Sequence, residues 1–225
     1  MASSQGSVSA IHMTESIFSH IEQNNTASVL ALIGRTPLIV KSTTKFNRTP
    51  LHVACMTEHG ANNLQIIRAL CQAAKENELN LIDARTEHGF TAVYIASMQN
   101  FDQIVECLVR EFEADMTVCD LGLLNCLHIA ARNNSERAVK VILELDNGLR
   151  LKDNVDSIGR TPVDWAKENN HEGVVKQIEG DDGEERSLEF DNSWMDETNP
   201  DMNSVGEIKA DDELMFEEEQ RNENF

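Results

Sequence analysis

Short apolar stripes recur between residues 14 and 179, each with the spacing of one helix face. The spacing i, i+1, i+4 brings three apolar side chains together on such a face. It occurs at Ile66, Ile67 and Leu70; at Ile104, Val105 and Leu108; at Ala138, Val139 and Ile142; and at Val174, Val175 and Ile178. A related segment precedes each stripe: TPLHVAC at 49–55, TAVYIAS at 91–97, NCLHIAA at 125–131 and TPVDWAK at 161–167. The pattern predicts a repeating unit of two short helices.

The turn between the two predicted helices carries an asparagine. If the threonine of TPLHVAC is position one, Asn100, Asn134 and Asn170 all fall at position ten. Asparagine tolerates the left-handed backbone conformation, so it suits a tight stop there. An upstream copy beginning at Ser16 puts Asn25 at the same position, followed by its own apolar stripe. We therefore predict units starting near residues 16, 49, 91, 125 and 161.

The start of each unit has the chemistry of a helix N-terminus. The Thr49 side chain can cap free backbone amides, and Pro50 suits the first helical position, where no amide donor is needed. A small residue at position six, such as Ala54, lets the paired helices approach closely. Each pair leaves an apolar face that only a neighbouring pair can cover, so the units are expected to stack.

On these residues the chain resembles the ankyrin repeat family, whose signature is a period near 33 residues with T-P-L-H-x-A. The letters that carry the resemblance are Thr49, Pro50, Leu51, His52 and Ala54. The resemblance implies an all-α fold, an ankyrin-type solenoid of about five helix-turn-helix repeats with protruding loops. Successive units start 33, 42, 34 and 36 residues apart, and the extra residues of the second unit fall in its MTEHGANN turn and in the connection 76–90.

The predicted domain organisation follows from the extent of the repeats. Residues 14–179 form the repeat domain, 1–13 are expected to be a disordered N-terminus, and 180–225 an acidic disordered tail. The first unit has Ile21 where alanine is expected, and the last has Asp164 in place of the repeat histidine. Both departures are typical of terminal repeats that cap an array.

The net charge of −20 is concentrated at the C-terminal end. Residues 180–225 hold 17 acidic residues and three basic ones, a net charge of −14. Phosphate backbones would repel such a chain, so direct nucleic-acid binding is not expected. By contrast, residues 23–57 contain no acid and carry a basic patch of Arg35, Lys41, Lys45 and Arg48. We expect this patch to receive acidic groups, from a partner or from the tail.

The cellular setting is inferred from the cysteines and from the hydrophobic runs. Five cysteines, an odd number, lie within apolar patterns and are expected to be reduced. No apolar run reaches the length of about 18 residues that a membrane helix needs, and the first residues lack a secretory signal. These observations predict a monomeric protein of the cytoplasm or nucleus that does not bind membranes.

No motif in the sequence proposes a reaction, a metal or a cofactor. His52 and His128 fall at the repeat's own histidine position, where we expect each ring to hydrogen-bond the neighbouring turn. A partial match to a calcium loop at 201–212 is rejected, because Val205 occupies a ligand position. The chain lacks the motif for a phosphate-binding loop, a nucleophile elbow or a zinc protease. We therefore expect a non-enzyme without cofactor.

The resemblance implies a protein partner bound at the loop tips and inner helices. Carried over by position, the predicted contact residues are Arg48, Phe90, Leu124 and Arg160 before the units, and Met56, Met98, Arg132 and Glu168 at position eight. Several are apolar where an exposed side chain could have been charged, which favours a contact surface. The alternative interpretation is partial burial of these side chains against the adjacent loop.

Three functional hypotheses remain open. The first is an adaptor or inhibitor that holds a protein partner on its concave face. The second is a regulator resembling the cytoplasmic inhibitors of Rel-type transcription factors, which also join ankyrin repeats to an acidic tail. In residues 180–225 of this chain, Ser193, Thr198 and Ser204 are candidate phosphorylation sites, because each is followed by an acidic residue three positions later. The third is an enzyme with an unrecognised site in residues 76–90.

Overall fold

Every secondary-structure element in the described residues is helical, in agreement with the all-α prediction. The computed structural model describes residues 17–57 and 63–180, and all of them belong to a unit that spans Met1–Asp182. The predictions for residues 1–13 and for the tail after Gly180 lie outside the described residues.

Ten α-helices follow one another along the described part of the chain and form five helix-turn-helix pairs. The first pair is α1, over residues 17–22, and α2, Thr26–Arg35. The other pairs are α3 (Pro50–Met56) with α4 (Leu64–Glu76), α5 (Ala92–Met98) with α6 (Asp102–Phe112), α7 (Cys126–Arg132) with α8 (Glu136–Leu145), and α9 (Pro162–Glu168) with α10 (Glu172–Glu179). Short 3₁₀ helices at Pro37–Lys41 and Leu151–Asp153 follow α2 and α8.

The predicted cap by Thr49 is present, and the structure shows that the caps at the first helix of several pairs are reciprocal. At α3, the Thr49 backbone N–H donates to His52 Nδ1 at 3.0 Å, while Thr49 Oγ1 accepts from the His52 backbone N–H at 3.5 Å. At α9, the Thr161 backbone N–H donates to the Asp164 carboxylate at 2.8 Å. Such boxes satisfy amides that a helix leaves without partners. They fix where each unit begins.

Asparagines make the tight turns within the pairs, but the first unit differs from its predicted register. Asn100, Asn134 and Asn170 have the expected positive φ of 58°, 55° and 59°. In the first unit the left-handed residue is Asn24, with φ 51°, and not Asn25. Asn25 instead caps α2 by accepting a hydrogen bond from the Ser28 N–H at 3.1 Å. The turn of the first unit therefore lies one residue before its predicted position.

The corrected register also changes the residue at position six. The backbone N–H of Asn25 donates to the carbonyl of His20, as that of Phe101 donates to Ala96. His20 is therefore the residue that stands where the other units have alanine, and Ile21 follows it as a fully buried core residue. Two adjacent asparagines left the register open, because either of them suits the turn.

The pairs stack so that the helices form two rows. The shorter helices α3, α5, α7 and α9 contact their neighbours in that order, and so do the second helices α2, α4, α6, α8 and α10. Four alanines, Ala54, Ala96, Ala130 and Ala166, are fully buried between the rows. Because alanine has the smallest apolar side chain, the helix axes can approach closely at these points. One continuous core runs along the stack.

The connections between pairs end in four loop tips of common geometry, which we number tips 1 to 4. In each tip the backbone N–H of the first residue donates to the carbonyl of the fifth. The bonds join Thr44 to Arg48 in tip 1, Thr86 to Phe90 in tip 2, Asp120 to Leu124 in tip 3 and Asp156 to Arg160 in tip 4, at 3.0, 3.0, 3.0 and 2.9 Å. Tips 1 and 2 are joined by the Glu87 N–H and the Phe46 carbonyl, and tips 3 and 4 by the Ser157 N–H and the Gly122 carbonyl.

Gly89 and Gly159 provide a matched test of the contact between tips 2 and 3. Both have a positive φ, 87° and 83°. A Cβ on Gly89 would lie 2.8 Å from the Arg85 Nη2 and 3.3 Å from the Asp120 Cα, whereas one on Gly159 would meet no atom within 4 Å. We expect Gly89→Ala to lower the free energy of unfolding by about 2 kcal/mol and Gly159→Ala by about 1 kcal/mol. Urea unfolding followed by circular dichroism measures both. Equal losses would mean that the close approach contributes nothing.

Candidate binding surface

The predicted contact residues differ in exposure, and two of them are buried. Glu168 is exposed, and a larger group is half-buried, namely Met56, Phe90, Met98, Arg132 and Arg160. Leu124 and Arg48 are only 4% and 3% exposed, so the prediction that they face solvent is wrong. Leu124 turns inward to pack with Tyr94 and Ile129. The Arg48 guanidinium covers the ring of Phe46, 5.0 Å from its centroid.

An aromatic pair joins tip 2 to the row of short helices. The rings of Phe90 and Tyr94 stack at a centroid distance of 4.8 Å and an interplanar angle of 6°. The Tyr94 hydroxyl donates to the Asp120 carboxylate at 2.8 Å. Tyr94 is therefore connected both to tip 2 and to tip 3. This role could not be predicted from the sequence, because an aromatic residue at position four gives no signal of its own.

Three of the predicted contact residues are grouped at Trp165 on α9: Arg132 and Arg160 lie against its ring, and Glu168 pairs with Arg160. The Arg132 and Arg160 guanidinium groups lie 5.0 and 4.6 Å from the ring centroid of Trp165. The indole N–H donates to the Asp156 carboxylate at 2.9 Å. Arg160 also pairs with Glu168 at 2.5 Å. A signal existed in the sequence, since a large tryptophan occupies position five where the preceding units have valine or isoleucine.

Of the four residues in the basic patch, the fold brings Lys45 and Arg48 together at one aromatic ring. Lys45 and Arg48 both approach the ring of Phe46, with the Lys45 ammonium 4.6 Å from its centroid. Arg35 lies in the last turn of α2, and Lys41 ends the 3₁₀ helix Pro37–Lys41. Tip 1 therefore presents an exposed lysine beside an aromatic ring, and the buried Arg48 supports that ring from within.

Comparison with known protein families agrees with this architecture. A family model described as ankyrin repeats (3 copies) matches residues 17–120 and again residues 99–184. Together the two matches span most of the chain. The chain belongs to the ankyrin repeat family. Ankyrin repeats are generally protein–protein interaction modules, so the face that carries the short helices and loop tips is the candidate binding surface.

The two histidines of the ankyrin signature lie on α3 and α7, and each connects its own helix to the next loop tip, as predicted. His52 Nε2 lies 2.9 Å from the Ala84 carbonyl and 3.2 Å from that of Phe90, and His128 Nε2 lies 3.1 Å from the Arg160 carbonyl. Because carbonyl oxygens only accept, Nε2 carries the proton and donates. Burial lowers the pKa of His52 to about 4 and also lowers the pKa of His128. Both rings therefore bond as neutral imidazoles at pH 7.

The thiols of this ankyrin repeat protein are mostly enclosed in the stack. Cys55, Cys71, Cys107 and Cys126 are buried and free, and Cys119 is partly exposed. Burial raises the pKa of Cys107 to about 11 and that of Cys126 to about 12. Thiols with such pKa values are protonated at pH 7 and act as small apolar side chains.

Within residues 17–57 and 63–180, no group of three or more His, Cys, Asp or Glu side chains is arranged to hold a metal ion. In that same part of the chain, no helix combines the length and the apolar character required to cross a membrane.

Proposed function

We propose that this ankyrin repeat protein is a non-catalytic adaptor or inhibitor that binds a protein partner through its short helices and loop tips. The observation that carries the proposal is the arrangement around Trp165, where two guanidinium groups lie within about 5 Å of the indole ring. Tryptophan, tyrosine and arginine are the residues that most often dominate the energy of protein interfaces. Here they are already held in place before any partner binds.

The residues at position eight support the same surface. Met56, Met98, Arg132 and Glu168 end four short helices that pack side by side. Neighbouring packed helices lie about 10 Å apart, so these side chains form a line that a partner segment can follow. Two flexible, half-buried methionines begin the line, and such side chains adapt to the shape of a partner.

We further propose that the protein is monomeric and resides in the cytoplasm or nucleus. Its five free cysteines support a reducing compartment.

A regulator resembling the Rel-type inhibitors is the second candidate. The acidic composition of residues 180–225 favours it, because those inhibitors also join ankyrin repeats to an acidic tail. The hypothesis of a catalytic site in residues 76–90 is not part of the proposal. The Arg85 side chain in that segment donates to the backbone carbonyls of Gly89 and Cys119.

Substitution of the two methionines tests the proposal. We expect the double variant Met56→Glu and Met98→Glu to recover its main protein partners at least about tenfold less well in a quantitative affinity pull-down. The reason is that a carboxylate at each position must be desolvated when the partner covers it.

A matched double variant controls for the added charge. Leu38→Glu and Leu149→Glu introduce the same charge at exposed leucines, 56% and 45% accessible, outside α3, α5, α7, α9 and the loop tips. This control is expected to recover the partners of the unmodified chain. Equal recovery by the methionine variant would exclude the short helices as the binding surface.

A further inference from the structure

The connection that follows α8 contains a dipeptide with a reactivity of its own. Asn147 precedes Gly148, and no other asparagine in the sequence is followed by glycine. The backbone nitrogen after an asparagine can attack the side-chain carbonyl carbon and close a cyclic imide. Glycine hinders this attack least, because it has no side chain and its backbone rotates most freely. The sequence therefore directs attention to Asn147 as a site of deamidation.

The surroundings of Asn147 leave room for the attack. Residues 147–150 are all exposed to solvent. In the described part of the chain, no group forms a hydrogen bond with the Asn147 side chain. A Cβ built on Gly148 would meet no atom within 4 Å. The side-chain carbonyl and the next backbone nitrogen are thus able to approach each other without displacing a neighbour.

Two successive short hydrogen bonds hold the backbone of this turn. The Asn147 N–H donates to the Leu145 carbonyl at 2.8 Å, and the Gly148 N–H donates to the Asp146 carbonyl. Each bond reaches back two residues, as in a γ-turn, and closes a smaller ring than a helical hydrogen bond does. Exposed turns of this kind open with the least free energy in a fold. The Gly148 nitrogen can therefore leave its carbonyl while α8 stays intact.

The same reaction is hindered at three other asparagines, those in the turns within helix pairs. The nitrogen after each of them donates to a carbonyl five residues back, in the bond that closes a short helix. These bonds join Phe101 to Ala96, Ser135 to Ala130 and His171 to Ala166, at 3.0, 2.9 and 2.9 Å. Attack by these nitrogens would break the end of a helix, and each residue also carries a side chain.

Anchored residues on both sides of the turn keep the reaction local. Leu145, at the end of α8, is 6% exposed, and Leu151 is fully buried. The Asp146 carboxylate accepts from the Leu151 N–H at 3.0 Å and so bridges the exposed segment. A changed backbone between residues 147 and 148 therefore leaves the packed residues of the stack in place.

We propose that Asn147 is a site of spontaneous deamidation in the folded protein. The Gly148 nitrogen forms a bond with the Asn147 side-chain carbonyl carbon, and the amide nitrogen of that side chain leaves as ammonia with the proton that Gly148 loses. Water then opens the imide at either carbonyl, which gives aspartate or isoaspartate. Each modified chain exchanges a neutral amide for a carboxylate, so its net charge becomes more negative by one. The reaction is independent of the proposed function.

Incubation of the purified full chain in water enriched in heavy oxygen, at mildly alkaline pH, tests the proposal. Opening of the imide inserts one solvent oxygen atom, so a later digestion in ordinary water adds no labelled product. Peptide mapping by mass spectrometry locates the label and separates aspartate from isoaspartate. We expect labelled product at Asn147 to form at least about tenfold faster than at Asn100, Asn134 or Asn170.

Two variants serve as controls for the mechanism. Gly148→Ala keeps the asparagine but adds a methyl group next to the attacking nitrogen, and it is expected to slow labelling at Asn147 at least about tenfold. Asn147→Gln keeps an exposed amide on a longer side chain, which closes the ring less readily, and it is expected to leave residue 147 unlabelled. Circular dichroism checks that both variants keep the helical fold.

Three results would overturn the proposal. The first is labelling at Asn147 that is no faster than at the turn asparagines. The second is an equal rate in the unmodified chain and in the folded Gly148→Ala variant. The third is labelled aspartate without isoaspartate, because direct hydrolysis of the side chain gives aspartate alone, whereas the imide gives both.

Discussion

Replacing Leu127 by alanine is expected to lower the free energy of unfolding by about 3–4 kcal/mol. Leu127 is fully buried near the start of α7, a helix that packs against both α5 and α9. Truncation leaves a cavity in the middle of the stack, where the neighbouring helices are already held by their own pairs and cannot collapse into it. Urea unfolding monitored by far-ultraviolet circular dichroism measures the loss.

The matched control for this substitution is Leu121→Ala in tip 3. It removes the same atoms from a side chain that is 72% exposed, so the expected change is below about 0.5 kcal/mol. Equal effects of the two substitutions would contradict the assignment of the row of short helices to the core. A small effect at both positions would mean that the units do not stabilise one another.

The helix pairs could be predicted from the sequence because their signals are local. Thr49 and Pro50 start a helix within two consecutive residues, as expected, and the structure adds His52 to the same cap. The turn asparagines were identified for the same reason, since each meets a backbone requirement of its own unit. Asn24 and Asn25 are the exception, because neighbouring residues with equal tolerance leave the register undetermined.

Exposure along the candidate surface could not be predicted in the same way. Leu124 and Phe90 hold the same position in their units, yet one is buried and the other half-buried. Tyr94 packs against both residues, and Leu124 is enclosed further by Ile129 of its own unit. Repeat position specifies the backbone, whereas exposure depends on which side chains the adjacent units contribute.

The exposure of two leucines in tip 3 could not be predicted for a related reason. Leu121 and Leu123 lie in a connection, where an apolar residue is expected to be buried against the stack. Their outward direction follows from the hydrogen bonds that Asp120 accepts within tip 3. The available signal was the uncharged segment LGLL after an aspartate in an otherwise charged chain. That signal alone does not separate a core segment from an exposed one.

Acidification from pH 6.5 to pH 4 is expected to lower the free energy of unfolding by about 3 kcal/mol through His52 alone. Burial lowers the pKa of His52 from 6.5 to about 4 in the folded chain. Between those values the unfolded state binds a proton that the folded state excludes, so stability is complete above pH 6.5 and is lost as the pH falls. His128, whose pKa burial also lowers, acts in the same direction.

His52→Gln isolates this contribution, and urea unfolding at several values between pH 6.5 and pH 5 measures it. Carboxylates of ordinary pKa stay largely ionised in that interval, so histidines dominate the slope. The variant is expected to be less stable at pH 7, because the Ala84 and Phe90 carbonyls lose the imidazole donor, but to change less with pH. Leu127→Ala is the control, since it lowers stability and should keep the full pH dependence. If His52→Gln retains that dependence as well, the folded chain does not hold His52 neutral, and the loss of stability in acid must come from other groups.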